Sequence, residues 1–383
     1  KPVFDLDSIG LLAMLERMNQ GLEIQSHNFK RRQLLPTTFY LGAVTTNFKY
    51  DEQSVAPQYL KLQQKIKYGA QFIINQIGYD ARKMHEQIAY LHQKNLQHIP
   101  LLGNVFALNP NVARLFHSQR IPGVVVSNDL LDLCKKQAQS PDKGKQFFLE
   151  LAAKQLSIYK GLEYRGAYLG GVHTYKDVET ILKTAKTYSS TDWKTFVHEL
   201  NFSRKGEFYS YAKNHNTGLS NPSTPNSIPA SIHLPLKQKF LYKFSKAAHQ
   251  WAFVKGTKLA RLAQWWCKRY RFSRGLRLAE RMSKSLLFQC KDCGDCSLSE
   301  IAYLCPESQC AKNQRNGPCG GSRDLLCEVT QTECIWSRAY VRLKSENREN
   351  NLLNHVPVLQ NQALRGTSSW VNIWLEKDHT SQK

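Results

Sequence analysis

Eight of the ten cysteines in this 383-residue chain lie in one stretch near its carboxyl end. The first three follow the spacing C-x2-C-x2-C, and two-residue gaps let successive thiolates point into one shared centre. Such spacing suits an iron–sulfur cluster or a zinc ion, and eight thiolates complete two four-cysteine sites. We assign the ligands to a first set, Cys290, Cys293, Cys296 and Cys305, and a second set, Cys310, Cys319, Cys327 and Cys334. An interleaved pairing of the same cysteines stays open.

The spacing leaves the identity of the metal open. Cys305 is followed by Pro306, as the last ligand of a bacterial-type cluster run often is, which favours iron–sulfur over zinc. A disulfide framework is the alternative without metal. It is disfavoured because the chain shows no secretory segment and otherwise has the composition of an ordinary globular protein. Cys134 and Cys267 stand alone in helical patterns, and we expect them to be ordinary buried cysteines.

Residues 1–187 alternate between apolar runs and amphipathic helical stretches. Near-continuous apolar runs are typical of parallel strands that are buried on both faces. Asp80 is predicted to cap a helix over Ala81–Gln93, and Thr174 begins a capping box for a helix that ends at Thr187. The predicted strands are Phe39–Thr45, Gln71–Gln76, Ile99–Phe106 and Gly166–Val172.

These strand–helix units imply an α/β fold with right-handed crossovers between parallel strands. Four units are half of an eight-stranded (β/α)8 TIM barrel, which normally needs about 250 residues. Asp5–Gly21 is predicted to be a helix that follows a strand missing before Lys1. We therefore expect the second half of a barrel in a chain whose natural start is absent. A five-stranded open sheet is the alternative that periodicity leaves open.

Four further segments follow residues 1–187, the region that we call the barrel half after this expectation. They are predicted to be a linker or loop region over 188–235, a basic amphipathic helical segment over 236–287, a small cysteine-rich domain over 288–345 (the cysteine module) and a polar tail over 346–383. The loop prediction depends on the Asn, Ser, Thr, Pro and Gly content of residues 214–229. No run of 18 apolar residues occurs, so no membrane span is predicted.

The basic segment holds fourteen Lys and Arg between Leu236 and Lys284 against the single Glu280, in a chain of net charge +23. Such an excess suits nucleic acid, anionic lipid, an acidic partner protein or a phosphorylated cofactor. Its interleaved aromatic residues could stack on nucleobases. We expect instead an amphipathic helix pair whose aromatic side chains pack on the barrel or the cysteine module while Lys and Arg face water.

Parts of the barrel half resemble the methylenetetrahydrofolate reductases. The resembling segments are Gly42-Ala43-Val44-Thr45-Thr46-Asn47-Phe48, the Lys- and Leu-rich stretch 61–72 with its Gly69-Ala70 turn, and Asn75-Gln76-Ile77-Gly78-Tyr79-Asp80. Residues 290–343, with Cys310-Ala-Lys-Asn-Gln-Arg-Asn-Gly-Pro-Cys319-Gly-Gly-Ser, are similar to a cysteine-rich module that is fused to, or partnered with, some bacterial reductases of this family. In acetogens the matching separate subunit is associated with iron–sulfur clusters.

The resemblance implies a cytoplasmic enzyme that reduces 5,10-methylenetetrahydrofolate to 5-methyltetrahydrofolate through a flavin, FAD or FMN, at the carboxyl ends of the strands. Gln76 matches a residue that hydrogen-bonds the stacked pterin or nicotinamide. Lys65 matches a lysine near the flavin phosphates, and Phe4 and Asp5 match positions that touch the flavin. His173 replaces an Arg, and before a capped helix it would favour the anionic glutamate tail of the folate.

The chain also departs from the family pattern. Lys61 and Gln64 stand where the family has Asn and Arg, so either the flavin contacts there are altered or the flavin is a mononucleotide. The family's catalytic Glu and its Asp near the flavin belong to the stretch before Lys1, so no residue of this chain is assigned as the general acid.

Two roles for the cysteine module stay open. It relays electrons from an acidic redox partner that docks on the basic segment, or its metal is purely structural and NAD(P)H reduces the flavin. A homo-oligomer is the alternative to an acidic partner protein. Two further hypotheses are a non-catalytic scaffold subunit of a reductase complex and a basic cysteine-rich nucleic-acid-binding protein. The last leaves the barrel resemblance unexplained.

Overall fold

The structure, a computed structural model, describes residues 6–25, 31–118, 120–121, 123–226, 234–269, 274–354 and 357–381. The helices are α1 (Ser8–Gln20), α2 (Glu52–Lys67), α3 (Ala81–Gln93), α4 (Pro110–His117), α5 (Asn128–Gln137), α6 (Lys145–Gly161), α7 (Tyr175–Thr187), α8 (Trp193–Glu199), α9 (Leu236–Ala252), α10 (Lys258–Arg269), α11 (Arg274–Phe288), α12 (Pro306–Gln309), α13 (Ile335–Lys344) and α14 (Ser369–Trp374). Within the described ranges, no helix combines the length and apolarity needed to cross a membrane.

The strands of the described residues form one parallel sheet and three small antiparallel pairs. The strands are β1 (Glu23–Gln25), β2 (Arg31–Gln33), β3 (Gly42–Thr45), β4 (Phe72–Asn75), β5 (Leu101–Phe106), β6 (Gly166–Gly170), β7 (Tyr211–Lys213), β8 (Ser220–Pro225), β9 (Ser322–Arg323) and β10 (Leu326–Cys327). The parallel sheet has the order β3-β4-β5-β6, and β1 pairs with β2, β7 with β8 and β9 with β10. All four predicted strands are confirmed, and each is a little shorter than the apolar run that predicted it.

Sequential parallel strands joined by helices are the arrangement that the repeating units predict. In the described part of the chain the sheet has four strands and does not close into a barrel. Its two faces differ, because Ile73, Leu101 and Val105 point into the core under the helices and are at most 2% exposed. On the opposite face, Val44 and Tyr168 are 53% and 59% exposed.

The predicted helix caps are present. The Asp80 carboxylate accepts from the backbone N–H of Arg82 at 2.9 Å, and α3 has the predicted bounds. Thr174 Oγ1 accepts from the N–H of Asp177 at 3.2 Å at the start of α7. Local sequence therefore determines where these helices begin.

The stretch predicted to be a surface loop or linker, residues 214–229, contains strand β8. This strand pairs with β7, which ends just before the stretch, so that Lys213 lies opposite Ser220; residues 227–229 lie outside the described residues. The pair packs on α3: the guanidinium of Arg82 donates to the carbonyl of Tyr211 at 2.8 Å, and the Tyr211 hydroxyl donates to Gln93 at 2.8 Å. Hydrogen bonds to a distant helix order a segment whose composition alone indicates a loop.

The basic segment forms three helices, α9, α10 and α11, instead of the expected pair. Its aromatic side chains divide between two environments. Tyr242 is 3% exposed and packs in the core of the cysteine module, whereas Phe240 and Trp251 are 73% and 74% exposed. The expectation that the aromatic residues pack inward is therefore wrong for much of this segment.

The cysteine module shares a second hydrophobic core with the barrel half. Leu60 of α2 packs there with Ile301, Trp336 and Leu343 of the module. At the start of α2, the Glu52 carboxylate accepts from the Tyr340 hydroxyl at 2.7 Å and pairs with Lys344. The module is thus fixed to the outer side of α2 by apolar packing and by a buried carboxylate.

The tail predicted over 346–383 is also docked. Trp374 of α14 donates from Nε1 to the carbonyl of Ala252 at 2.8 Å and stacks on Phe253. Near the end of the described chain, His379 is 3% exposed and its Nδ1 lies 2.6 Å from the carboxylate of Asp295. The tail therefore covers the cysteine module.

Candidate metal centre

The four cysteines of the first set line one cavity. Cys290, Cys293 and Cys296 come from the loop after α11, and Cys305 directly precedes α12. Lys284, Arg315 and Ser369 line the same cavity. All ten cysteines of the chain lie among the described residues, and all ten are free thiols. The fold therefore places the four cysteines of the predicted first set around one cavity.

Backbone turns place hydrogen-bond donors on the sulfur atoms of this set. The N–H of Asp292 donates to Sγ of Cys290 at 3.4 Å, and Asp292 and Gly294 have φ values of +54° and +74°. These left-handed residues turn the chain between successive cysteines, a conformation that Gly adopts without steric cost. Donors aimed at ligand sulfurs are one of the means by which a protein tunes a bound cluster.

A buried ion pair stands beside the first set. Lys284 Nζ donates to Sγ of Cys296 at 3.4 Å, to Glu280 at 3.3 Å and to the hydroxyl of Ser369 at 2.5 Å. Glu280 in turn accepts from the hydroxyls of Ser368 and Ser369 at the start of α14. Glu280 and Lys284 are 5% and 7% exposed. The single acid of the basic segment therefore holds a cation against a cysteine sulfur.

Burial and charge oppose each other around these thiols. Burial raises the pKa of Cys293 to about 11, and the Cys296 charge adds to the shift while Arg315 opposes it. Burial alone would lower the pKa of Lys284, but the charges of Cys296 and Glu280 raise it well above its usual range. Cysteine ligands must be thiolates, and burial disfavours that charged form. A bound metal cation would stabilise the thiolates.

The second set lies between the module and the barrel half. Cys310 and Cys319 accept from the N–H groups of Gln314 at 3.4 Å and Gly321 at 3.3 Å. Cys334 is the N-cap residue of α13; burial raises its pKa, although backbone N–H groups at the start of this ten-residue helix oppose the shift. Cys327 lies in β10. Burial opposes ionisation of Cys327, but N–H groups in the following turn lower its pKa.

Two buried lysines of the barrel half reach toward the second set. Lys49 Nζ donates to the carbonyls of Gly320 and Ser322, the latter at 2.5 Å. Lys61 Nζ donates to the carbonyls of Gly317 at 3.3 Å and Pro318 at 2.9 Å. Burial lowers the pKa of both lysines, to about 8 for Lys49, while the Cys319 charge opposes the shift in each. Both cations are thus held against the loop that carries Cys319.

A cavity of about 400 Å³ opens where the module meets the sheet. It is lined by Lys49, Arg204 and Arg323 together with the acids Asp324 and Glu328. Gln76, just after β4, is half-buried. Its side chain lies 3.2 Å from the position that a Cβ on Gly123 would occupy, and Gly123 lines the cavity, so Gln76 lies next to it. The Gln76 amide oxygen accepts from the N–H of Ile77 at 3.0 Å. His173 is exposed after β6 at the same edge of the sheet.

The flavin contacts that the resemblance implies do not fit this arrangement. Lys65 is 9% exposed and its Nζ donates to the carbonyl of Val44, while burial lowers its pKa to about 7. Gln64 donates from its amide to the carbonyl of Leu352 at 2.7 Å, and Lys61 is covered by the module. A flavin phosphate would have to displace these contacts. Phe4 and Asp5 lie outside the described residues.

The cysteine sets fit a metal or cluster better. Each set has thiols that accept from backbone N–H groups and a buried cation nearby, and this donor chemistry suits zinc or iron–sulfur. Among the described residues, no three His, Cys, Asp or Glu side chains stand close enough to hold one metal ion. The four sulfur atoms of the first set therefore line one cavity without being gathered at ligand distance.

Sequence patterns did not identify the charged residues that support these sets. Lys49 and Arg315 carry no local signal, since their partners are distant in the chain. Glu280 and Lys284 did offer one, because a single acid among fourteen bases, four residues before a lysine, is the spacing of a helical ion pair.

Part of the chain matches a known family. Residues 273–362 match the family model described as "Methylene-tetrahydrofolate reductase C terminal". This range contains both cysteine sets, Arg315 and the Glu280–Lys284 pair. No curated protein matches the chain.

Proposed function

We propose that this chain acts in the reduction of 5,10-methylenetetrahydrofolate to 5-methyltetrahydrofolate, with its cysteine module carrying a centre that relays electrons. The observation that carries the proposal is the meeting of Cys290, Cys293, Cys296 and Cys305 at one cavity within the matched range. We also propose that the four-stranded sheet is the second half of a (β/α)8 barrel, in keeping with its open face and sequential strand order.

The residues of the chain contribute in distinct ways. The first set would hold an iron–sulfur cluster or zinc; a cluster, when bound, supplies one-electron chemistry. Lys284 and Arg315 place positive charge beside the thiolates, and the N–H of Asp292 donates to one of them. Positive charge and donors stabilise the more negative, reduced form of such a centre. The tail and α14 cover the site, and this burial limits access of water.

The test is metal and flavin analysis of the full-length protein purified without oxygen. Because four cysteines can hold an iron–sulfur cluster, we expect about four moles of iron with matching sulfide per occupied cluster site and a broad absorption near 400 nm. Cys293→Ser should lose the metal of the first set, whereas the matched control Cys267→Ser, a lone cysteine on α10, should retain it. Protein that contains neither iron nor zinc would contradict the proposal.

A second candidate function is a flavin-free subunit that supports a separate reductase. It is favoured by the contacts of Lys61, Gln64 and Lys65. The resemblance places these three positions near the flavin, but here their side chains donate to carbonyls of the chain itself. Iron without flavin in the full-length protein, with activity restored by adding a flavin-containing reductase, would support this candidate. Stoichiometric flavin that is lost in Lys65→Met would instead place the flavin on this chain.

A further inference from the structure

Three helices of the basic segment expose apolar side chains at regular helical spacing. On α9, Leu236, Phe240 and Trp251 are 85%, 73% and 74% exposed. The apolar residues exposed in the same way on the next two helices are Leu259 and Leu262 of α10 and Leu278, Met282 and Leu286 of α11. We call these eight residues the outer face. Spacings of three and four residues, or multiples of a turn, put such residues on one side of a helix.

The opposite sides of these helices are accounted for by packing. Tyr242 of α9 is buried in the second core and bonds Glu346 at 3.1 Å. Ala260 of α10 is 7% exposed, and Glu280 and Lys284 of α11 are buried beside the first cysteine set. Each helix is therefore already fixed to the protein by one side. The outer face does not contribute to that packing.

Basic residues accompany the outer face. Lys237, Lys239 and Lys243 lie on α9 among its exposed apolar residues, and Arg281 lies next to Met282 on α11. Fourteen Lys and Arg stand against one acid from Leu236 to Lys284, and that acid, Glu280, is buried in its pair with Lys284. The charge that the segment presents to its surroundings is therefore positive.

We propose that the outer face docks on the surface of an anionic lipid bilayer. Helices that lie in the membrane interface combine exposed Trp, Phe and Leu with Lys and Arg, and the exposed sides of α9 and α11 carry this combination. Anionic headgroups complement the positive charge. A nucleic acid would use the basic residues but would leave the exposed Leu and Met side chains in water. The helices would lie on the bilayer without crossing it.

The proposal is tested by flotation of the full-length protein with vesicles of phosphatidylcholine containing about 30% phosphatidylglycerol. We expect binding to these vesicles, much weaker binding to pure phosphatidylcholine, and release by about 0.5 M salt, which screens surface charge. The variant Phe240→Ser/Trp251→Ser/Leu286→Ser should partition at least about tenfold more weakly, since it removes three large apolar side chains. The matched control Leu35→Ser/Val329→Ser changes two apolar residues that are 87% and 57% exposed elsewhere, and should bind like the unchanged protein.

Circular dichroism and bound metal, unchanged in the triple variant, would establish that it is folded. Absence of flotation with anionic vesicles would overturn the proposal. So would equal binding of the triple variant and the unchanged protein. A dimer in light scattering that the triple variant abolishes, without vesicle binding by either protein, would overturn it in favour of self-association. Salt-sensitive binding of duplex DNA or RNA that the triple variant retains, again without vesicle binding, would overturn it in favour of a nucleic-acid surface.

Discussion

The two cysteine sets lie in the same small module but are built against different neighbours. The first set is supported from within the module and its flanking helices, by Glu280, Lys284 and Arg315. The second set is supported from the barrel half, by Lys49 and Lys61. The difference indicates that the first set depends on contacts within the module and α11, whereas the loop of the second set also contacts the barrel half. Removing a ligand from each should therefore have different consequences.

The largest effect is expected from replacing one ligand in each set. Cys293→Ala should lose about half of the bound iron or zinc while the module stays attached to the barrel half. Cys319→Ala should lose the other half and also loosen the loop that Lys49 and Lys61 contact, because metal binding is coupled to folding. Elemental analysis measures the first effect and hydrogen exchange of residues 317–322 the second. Equal loss of protection there in both variants would remove the distinction between the sets.

The next effect concerns the charge pair of the first set. Glu280→Ala leaves Lys284 as a buried cation with fewer partners and should lower the free energy of unfolding by about 3–5 kcal/mol. The matched control is Glu179→Ala, which breaks an exposed pair with Lys183 at the same i,i+4 spacing. Exposed helical pairs contribute only about 0.3–0.5 kcal/mol. Denaturant titration of both variants checks the contrast, and equal losses would show that the pair near Cys296 has no special role in stability.

A smaller effect is expected where α2 of the barrel half contacts the cysteine module, a contact that we call the joint. Lys61→Met removes the donor to the carbonyls of Gly317 and Pro318 and leaves these buried acceptors unpaired. A lost buried hydrogen bond of this kind costs about 1–3 kcal/mol. Protease cleavage between the barrel half and the module should become faster in this variant. Lys67→Met, on the exposed side of the same helix, should leave cleavage unchanged. Unchanged cleavage in Lys61→Met would mean that apolar packing of α13 on α2 alone holds the joint.

The sequence predicted the elements that depend on local patterns and missed those that depend on distant pairs. Apolar runs identified β3–β6, and Asp80 and Thr174 marked the starts of α3 and α7. The spacing C-x2-C-x2-C grouped the first set, which the fold places around one cavity.

Contacts between distant residues account for the errors. Lys61 and Gly317 are far apart in sequence, and no periodicity indicates that a helix lysine lies under a cysteine loop. The same is true of Tyr211, whose hydrogen bonds to α3 order a segment of loop-like composition. The exposure of Phe240 and Trp251 was not predicted, because an amphipathic pattern does not show whether another part of the protein packs on the apolar side of a helix.

The smallest effect is expected at Lys65, which lies on α2 one turn after Lys61. Its side chain donates to the carbonyl of Val44 in the sheet and not to the module. Burial and the charge of Lys61 lower the pKa of Lys65 from 10.5 to about 7. Between these two pH values the unfolded chain binds more protons than the folded chain, so this lysine makes the free energy of unfolding rise with pH over that window. Lys65→Met removes the dependence but also the hydrogen bond to Val44, so a net gain of only about 1 kcal/mol is expected at pH 7. The gain over the unchanged protein should shrink toward pH 10, whereas any difference in Lys67→Met should not vary in this way. Denaturant unfolding at several pH values measures both, and a gain in Lys65→Met that stays constant from pH 7 to pH 10 would show that Lys65 titrates as an ordinary exposed lysine.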